Sequence, residues 1–322
     1  MTIDNKLHIN GRYTLKNRML YLYHGGSSIS FKMYGDSFTV SMSFTPISGY
    51  FYIIINRDFE NKIKVYLDND CYTHVFKKKG EYYVDIVKAN ECNNNILLIK
   101  DIKVGGELFD FDHQYYKKVR VYGDSTVAGY GILAKEGEGN IHNSDSVLDF
   151  IYKGLYELNL DIDIFSASGW GLTFSNYTYP KIMGIINFID KMGPNINIKY
   201  KDTFKENLLI ISLGTNDDSY IKANIDNKSS LIDYFIKQYE RLIKYELKKN
   251  NKLKILMVYG TLKEEQAYYL VEQTYATLKP KYPKLFIHKF NGDNTAISNH
   301  AYVSQHELMS VELIKIINEI LR

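Results

Sequence analysis

Four short stretches of this sequence carry side chains and turns suited to acyl transfer. GDSTVAGYG (123–131) places Ser125 just after a short apolar run, where a glycine permits a tight exit from a strand. SASGWG (166–171) is a small-residue loop, GTND (214–217) offers the side-chain amide of Asn216, and SNHAYVSQH (298–306) supplies His300 before the last helical stretch. Acyl transfer needs a nucleophile, a base to take its proton, and donors that hold the developing oxyanion, all converging on one point. Singly, each stretch has a bland role: a serine after a strand caps a helix, glycines make turns, and an asparagine steadies its loop. Their joint occurrence in this order argues for chemistry.

To converge, the four must stand at one edge of one scaffold. Beyond residue 117, short apolar runs alternate with longer helical stretches: VRVYG (119–123), IDIFSAS (162–168), LLIISLG (208–214), KILMVYG (254–260) and KLFIHKF (284–290), each with a helical segment expected after it. That rhythm predicts a parallel sheet covered on both faces, whose functional groups gather beyond the carboxyl ends of the strands. In the segment 230–249, Ser230 with Asp233 predicts a helix start, and Leu231, Phe235, Tyr239, Leu242 and Leu247 fall near one face. Ser304 and Glu307 have the spacing of a capping box for the last helix.

The first third of the chain reads differently. Ile29, Phe31 and Met33 alternate with polar residues, as do Phe38, Val40, Met42 and Phe44 after Gly35-Asp36, which predicts a hairpin with Gly first in a two-residue turn. Further short strands follow at 50–56, 62–68, 81–88 and 95–104, with no helical pattern among them. The expected fold class is α/β: an N-terminal all-β domain, a β-sandwich or jelly roll, over 1–113, then a three-layer α/β/α domain with a five-stranded parallel sheet over 114–322.

A length of 322 residues favours two domains, and 45% hydrophobic with 24% charged residues supplies ample core. The formal charge of +3 is too small a surplus to imply a nucleic-acid footprint. Cys71 and Cys92 could make one bridge at most, and two free thiols are expected. No apolar stretch approaches the roughly 20 residues that span a bilayer, and the first 20 residues have no leader-like apolar core, so as written the chain reads as cytoplasmic. A secreted chain already trimmed of its leader would read the same. His8, His24, His74, His113, His142 and His288 are isolated in sequence and no Cys pair joins them, so no metal is expected. There is no phosphate loop and no dinucleotide fingerprint.

At the four stretches the sequence resembles the SGNH (GDSL-type) hydrolases, named for Ser, Gly, Asn and His in four blocks. The resemblance implies Ser125 as nucleophile, Gly169 as a backbone N–H donor, Asn216 as a side-chain donor and His300 as base, with the N–H of Ser125 completing the oxyanion hole. With a β-domain in front, the whole chain looks like carbohydrate esterase family 2, whose members pair a jelly roll with such a hydrolase domain and remove acetyl groups from sugar hydroxyls. INGR (9–12), the full GDSTVAGYG and a second histidine, His306, support it. The sequence departs from the family pattern beside the histidine: the usual Asp three residues before it is Ile297, the usual Pro after it is Ala301, and Ser298 stands two before it. Asp293 is the nearest upstream carboxylate, seven residues away, and a Ser–His dyad with its histidine held by a backbone carbonyl is preferred to a triad. His306, inside the predicted capping box, is read as a surface residue and His300 as the base. Trp170, the one tryptophan, is either a plug under the Gly169 loop or a platform for a sugar ring, and Tyr130 is a weaker candidate of the second kind.

The implied activity is a cofactor-independent serine esterase whose partner is an acetylated carbohydrate. Three alternatives stay open: an esterase, lipase or thioesterase on non-sugar acyl substrates, a transacylase, and a carbohydrate-binding homologue impaired in catalysis. The β-domain could bind glycan, shape the active-site cleft or buttress the hydrolase domain.

Overall fold

The computed structural model describes residues 5–67, 69–135, 141–175, 183–262, 267–292 and 296–322. Among these, the first third of the chain forms one antiparallel sheet from β1 (Leu7–Asn10), β2 (Tyr13–Lys16), β3 (Met19–Leu22), β4 (Ser28–Pro46), β5 (Tyr50–Ile55), β6 (Ile63–Tyr66), β7 (Cys71–Lys88) and β8 (Asn95–Phe109). The order is β2-β3-β8-β4-β7-β5-β6, with β1 also pairing β4.

The hairpin expected at Gly35-Asp36 does not form, because β4 runs straight through it. Gly35 pairs with Gly80 of β7 on one side and Gly106 of β8 on the other, and the register shifts between Gly35 and the residues after it. A Cβ at Gly106 would lie 2.1 Å from Tyr34 O, so the strands meet here backbone to backbone. The shift is a β-bulge, and it absorbs the change of phase between buried Met33 and buried Phe38. It also folds the sheet: seven residues of straight strand span about 23 Å, yet the rings of Phe31 and Phe38 are 5.5 Å apart, edge to face. The expected sandwich is therefore one continuous sheet folded on itself around Leu22, Phe31, Phe38, Phe51 and Ile86.

The second region is built on β9 (Lys118–Gly123), α1 (Phe150–Glu157), β10 (Asp161–Ser166), a small hairpin of β11 (Lys191–Gly193) and β12 (Ile196–Lys199), β13 (Leu208–Ser212), α2 (Thr215–Ala223), α3 (Lys228–Leu247), β14 (Lys254–Tyr259), α4 (Tyr268–Leu278), β15 (Leu285–Lys289) and α5 (Val303–Leu321). The five strands β10-β9-β13-β14-β15 are all parallel, and the order reverses at β9. Alternate residues serve opposite faces. Val119, Val121, Leu208 and Ile210 pack with α1 and α5 through Phe150, Leu155, Leu313 and Ile317, while Tyr122, Leu209 and Ile211 pack with α3 and α4 through Phe235, Tyr239 and Val271.

Three local expectations are corrected. Among the described residues no long helix follows β10; a 3₁₀ turn at Ile185–Asn187 and the β11–β12 hairpin stand there, turned by Pro194 and by Asn195 at φ 59°. At the start of α3 the Ser230 hydroxyl donates to Asn227 O and lies inside the helix. At α5 the first residue is Val303, so Ser304 is already in the first turn and the N-cap residue Tyr302 makes no side-chain capping bond.

The two regions share a core. Tyr50, Tyr52, Val87 and Ala89 of the folded sheet pack in one cluster with Val121, Ile151 and Ile164, and the hydroxyls of Tyr50 and Tyr52 donate to Asp145 Oδ2 at 3.0 and 2.6 Å. No helix among the described residues is long and apolar enough to cross a membrane.

Candidate active site

The ends of three strands set the level of the site. Gly123, the last residue of β9, pairs with Ser166 of β10 on one side and Ser212 of β13 on the other. Ser125 lies two residues beyond this line, Gly169 three and Asn216 four, at the point where the strand order reverses, the usual ligand crevice of such a sheet. At Gly123 a Cβ would sit 2.3 Å from a Val127 methyl, so only glycine lets the chain turn back this sharply behind Ser125.

His300 arrives from the other end of the sheet, on the connection between β15 and α5. The Ser125 Oγ–H faces His300 Nε2 at 2.8 Å. The other ring nitrogen, Nδ1, lies 3.0 Å from Ile297 O and 3.1 Å from Ser298 O. Carbonyl oxygens only accept, so Nδ1 carries the ring proton and Nε2 presents its lone pair to the serine. No carboxylate is needed to select this tautomer. The carbonyls are aimed by unusual backbone: Ser298 and Asn299 stand at φ 52° and 61°, consecutive left-handed residues costing about 1 kcal/mol each. Tyr130 packs edge-on against the imidazole at 5.1 Å, and the neighbouring Gly131, at φ +67°, leaves room for Ile297, whose Cγ2 would be 2.2 Å from a Cβ there. Burial pushes the His300 pKa down to about 4, so the ring is neutral at pH 7. Asp293 lies outside the described residues.

The Gly169 loop is held by a residue that local sequence reading did not single out. Asp217, buried in the first turn of α2, accepts the backbone N–H groups of Leu172, Thr173 and Phe174 at 2.7, 2.8 and 3.0 Å. Its neighbour Asn216 lies against Asp124, with the amide Nδ2 3.5 Å from Asp124 Oδ2, and Asp124 also accepts the N–H and the hydroxyl of Thr126. Burial raises the Asp124 pKa to about 6. One helix start therefore joins the Ser125 turn to the Gly169 loop. The GTND block was the available signal, but it does not say which loop Asp217 holds.

Two expectations are revised here. Trp170 is only 1% exposed and meets Phe188 edge to face at 5.3 Å, which matches the plug and leaves no ring face open to a sugar. His306 is buried rather than on the surface: its Nδ1 accepts the Phe150 N–H at 3.1 Å, with Asp149 Oδ2 at 3.4 Å, and so ties α5 to α1. The first turn of α5 is thus tied down by a tertiary bond and not by a capping box. Among the described residues, no group of three or more His, Cys, Asp or Glu side chains is placed to hold a metal ion.

No protein-family model matches the chain, and no curated protein sequence matches it significantly. Solved structures do. A family two carbohydrate esterase from Clostridium thermocellum, in complex with cellohexaose, superposes with a TM-score of 0.82 at 18% identity over 98% of this chain and 99% of the other. A family two carbohydrate esterase from Cellvibrio japonicus gives 0.82 at 19% identity over 98% and 96%. An acetyl xylan esterase from the rumen bacterium Butyrivibrio proteoclasticus gives 0.83 at 16% identity over 99% and 97%. The chain has the fold of the family 2 carbohydrate esterases. The coverage includes both the folded sheet and the parallel-sheet region, so the family 2 likeness extends to the pairing of the two.

Proposed function

We propose that the chain is a serine esterase that removes O-acetyl groups from carbohydrates through an acyl-enzyme. In this reading His300 takes the proton of Ser125 as Oγ attacks the acetyl carbonyl. The N–H groups of Ser125 and Gly169 and the amide of Asn216 receive the oxyanion, each donor contributing about 3 kcal/mol in related chemistry. The imidazolium formed keeps both Nδ1 acceptors, the carbonyls of Ile297 and Ser298, and returns its proton to the departing sugar oxygen. Water then repeats the sequence and releases acetate.

The observation that carries the reading is the 2.8 Å contact of Ser125 Oγ with a histidine whose other nitrogen is already committed to acceptors. The family 2 fold supports a carbohydrate ester as substrate, since solved proteins of that fold include an acetyl xylan esterase and an esterase complexed with cellohexaose. The domain division at 113/114 is proposed on the same footing, with β8 ending at Phe109 and β9 beginning at Lys118. The test is acetate release from p-nitrophenyl acetate and from an acetylated xylo-oligosaccharide by the intact protein, Ser125→Ala and His300→Ala. Activity abolished by either substitution is expected. Oligosaccharide binding with no hydrolysis above the variants would replace the esterase with a binding protein, and preference for longer acyl chains or for a sugar acceptor over water would replace the substrate class or the reaction type.

A further inference from the structure

The connection 89–94, between β7 and β8 of the folded sheet, reaches across to the stretch that leads into Gly169. Glu91 is 4% exposed and its Oε2 accepts the Ser168 N–H at 2.8 Å. Asn93 Nδ2 donates to Ser168 O at 3.1 Å, so both sides of the residue before Gly169 are held. Two residues earlier in the loop's approach, Ser166 O takes the Cys92 thiol at 3.3 Å and lies 3.1 Å from His24 Nδ1. The turn that presents Glu91 is itself pinned: fully buried Lys88 donates from Nζ to Asn90 O and, at 3.4 Å, to Glu91 O. Burial pushes the Glu91 carboxyl up and the Lys88 amine down to about 7, while each charge favours the ionised form of the other.

A buried carboxylate is costly unless hydrogen-bonded, and this one is placed on a single peptide next to a proposed oxyanion donor. With Asp217 holding 172–174 from the opposite side, Gly169, at φ +77°, stands between two clamps. We infer that Glu91, with Asn93, is a positioning residue for the oxyanion loop, so that the N-terminal sheet sets the geometry of the acyl-transfer step rather than only supporting the domain behind it. The inference rests on the esterase reading above.

The test is steady-state kinetics on p-nitrophenyl acetate with Glu91→Ala, Glu91→Gln and Asn93→Ala, with thermal unfolding of each. Gln keeps an acceptor for the Ser168 N–H. Displacing a donor by about an ångström can cost about 100-fold in rate, so Glu91→Ala should lose about 10- to 100-fold in kcat with KM within about twofold, and Glu91→Gln should recover most of it. Asn93 is exposed, so Asn93→Ala should fold and lose kcat several-fold; it decides the matter if Glu91→Ala does not fold. Unchanged kcat in the folded variants overturns the clamp while leaving the esterase standing. Absence of Ser125-dependent hydrolysis in the unaltered protein overturns the esterase reading instead.

Discussion

Asp217 accepts the backbone N–H of Leu172 at 2.7 Å, and that bond ties the helix carrying Asn216 to the loop carrying Gly169. Two further N–H groups, of Thr173 and Phe174, share the same carboxylate. Asp217→Ala would leave three buried donors unpaired, at about 1–3 kcal/mol each before relaxation. The expected outcome is a drop in unfolding free energy of several kcal/mol by urea denaturation. Asp217→Asn keeps one acceptor oxygen and should fall between the two, and a variant as stable as the parent would show that the loop finds other partners.

Asn216→Ala should lower kcat by about 10²–10³ while moving KM little, because an oxyanion donor acts in the transition state. Kinetics on p-nitrophenyl acetate reads this directly. A change confined to KM would assign Asn216 to substrate binding alone.

The acid limb of kcat/KM should fall near pH 4 rather than near 6.5, since His300 is pushed down to about 4 by burial and must be neutral to accept the serine proton. The same shift has a stability consequence. The folded ring binds its proton less readily than the unfolded one, so its contribution is complete above pH 6.5 and is lost as the pH falls toward 4, by about 3 kcal/mol. Comparing the pH dependence of unfolding in the parent and in His300→Asn isolates that share. An acid limb near 6.5 would contradict the burial of the ring.

Gly131→Ala should disturb the base without touching it. The added methyl would lie 2.2 Å from Ile297 Cγ2, at a φ of +67° that alanine resists, and Ile297 O is one of the two acceptors of Nδ1. Loss of kcat by about tenfold or more is expected. Ile297→Ala in the same chain removes the clashing atom and should restore part of the rate, a coupling that a double-mutant cycle measures.

The five parallel strands and the four blocks were legible because each is a local pattern: apolar runs of strand length, and turn residues directly after them. Gly35-Asp36 was misread because a two-residue turn and a bulge use the same residues. What decides between them is the register with Gly80 and Gly106, which are remote in sequence. Asp217 escaped for the same reason, its partners being 43–45 residues away. His306 satisfied a local capping pattern, yet its burial depends on Phe150, 156 residues upstream. A backbone-carbonyl hold on His300 was expected from the missing acid, but nothing in the side chains says that the carbonyls are those of Ile297 and Ser298.

The core shared by Tyr50, Tyr52, Val87 and Ala89 with Val121, Ile151 and Ile164 bears on how such a chain can be rearranged. A cut near residue 113 would bare an apolar face on each half and strand Asp145 without the two phenols that solvate it. Neither half is then a cassette to be transplanted onto another protein. Recombination that respects this architecture must carry both halves together, and sequence drift on one side of the shared core is answerable to the other.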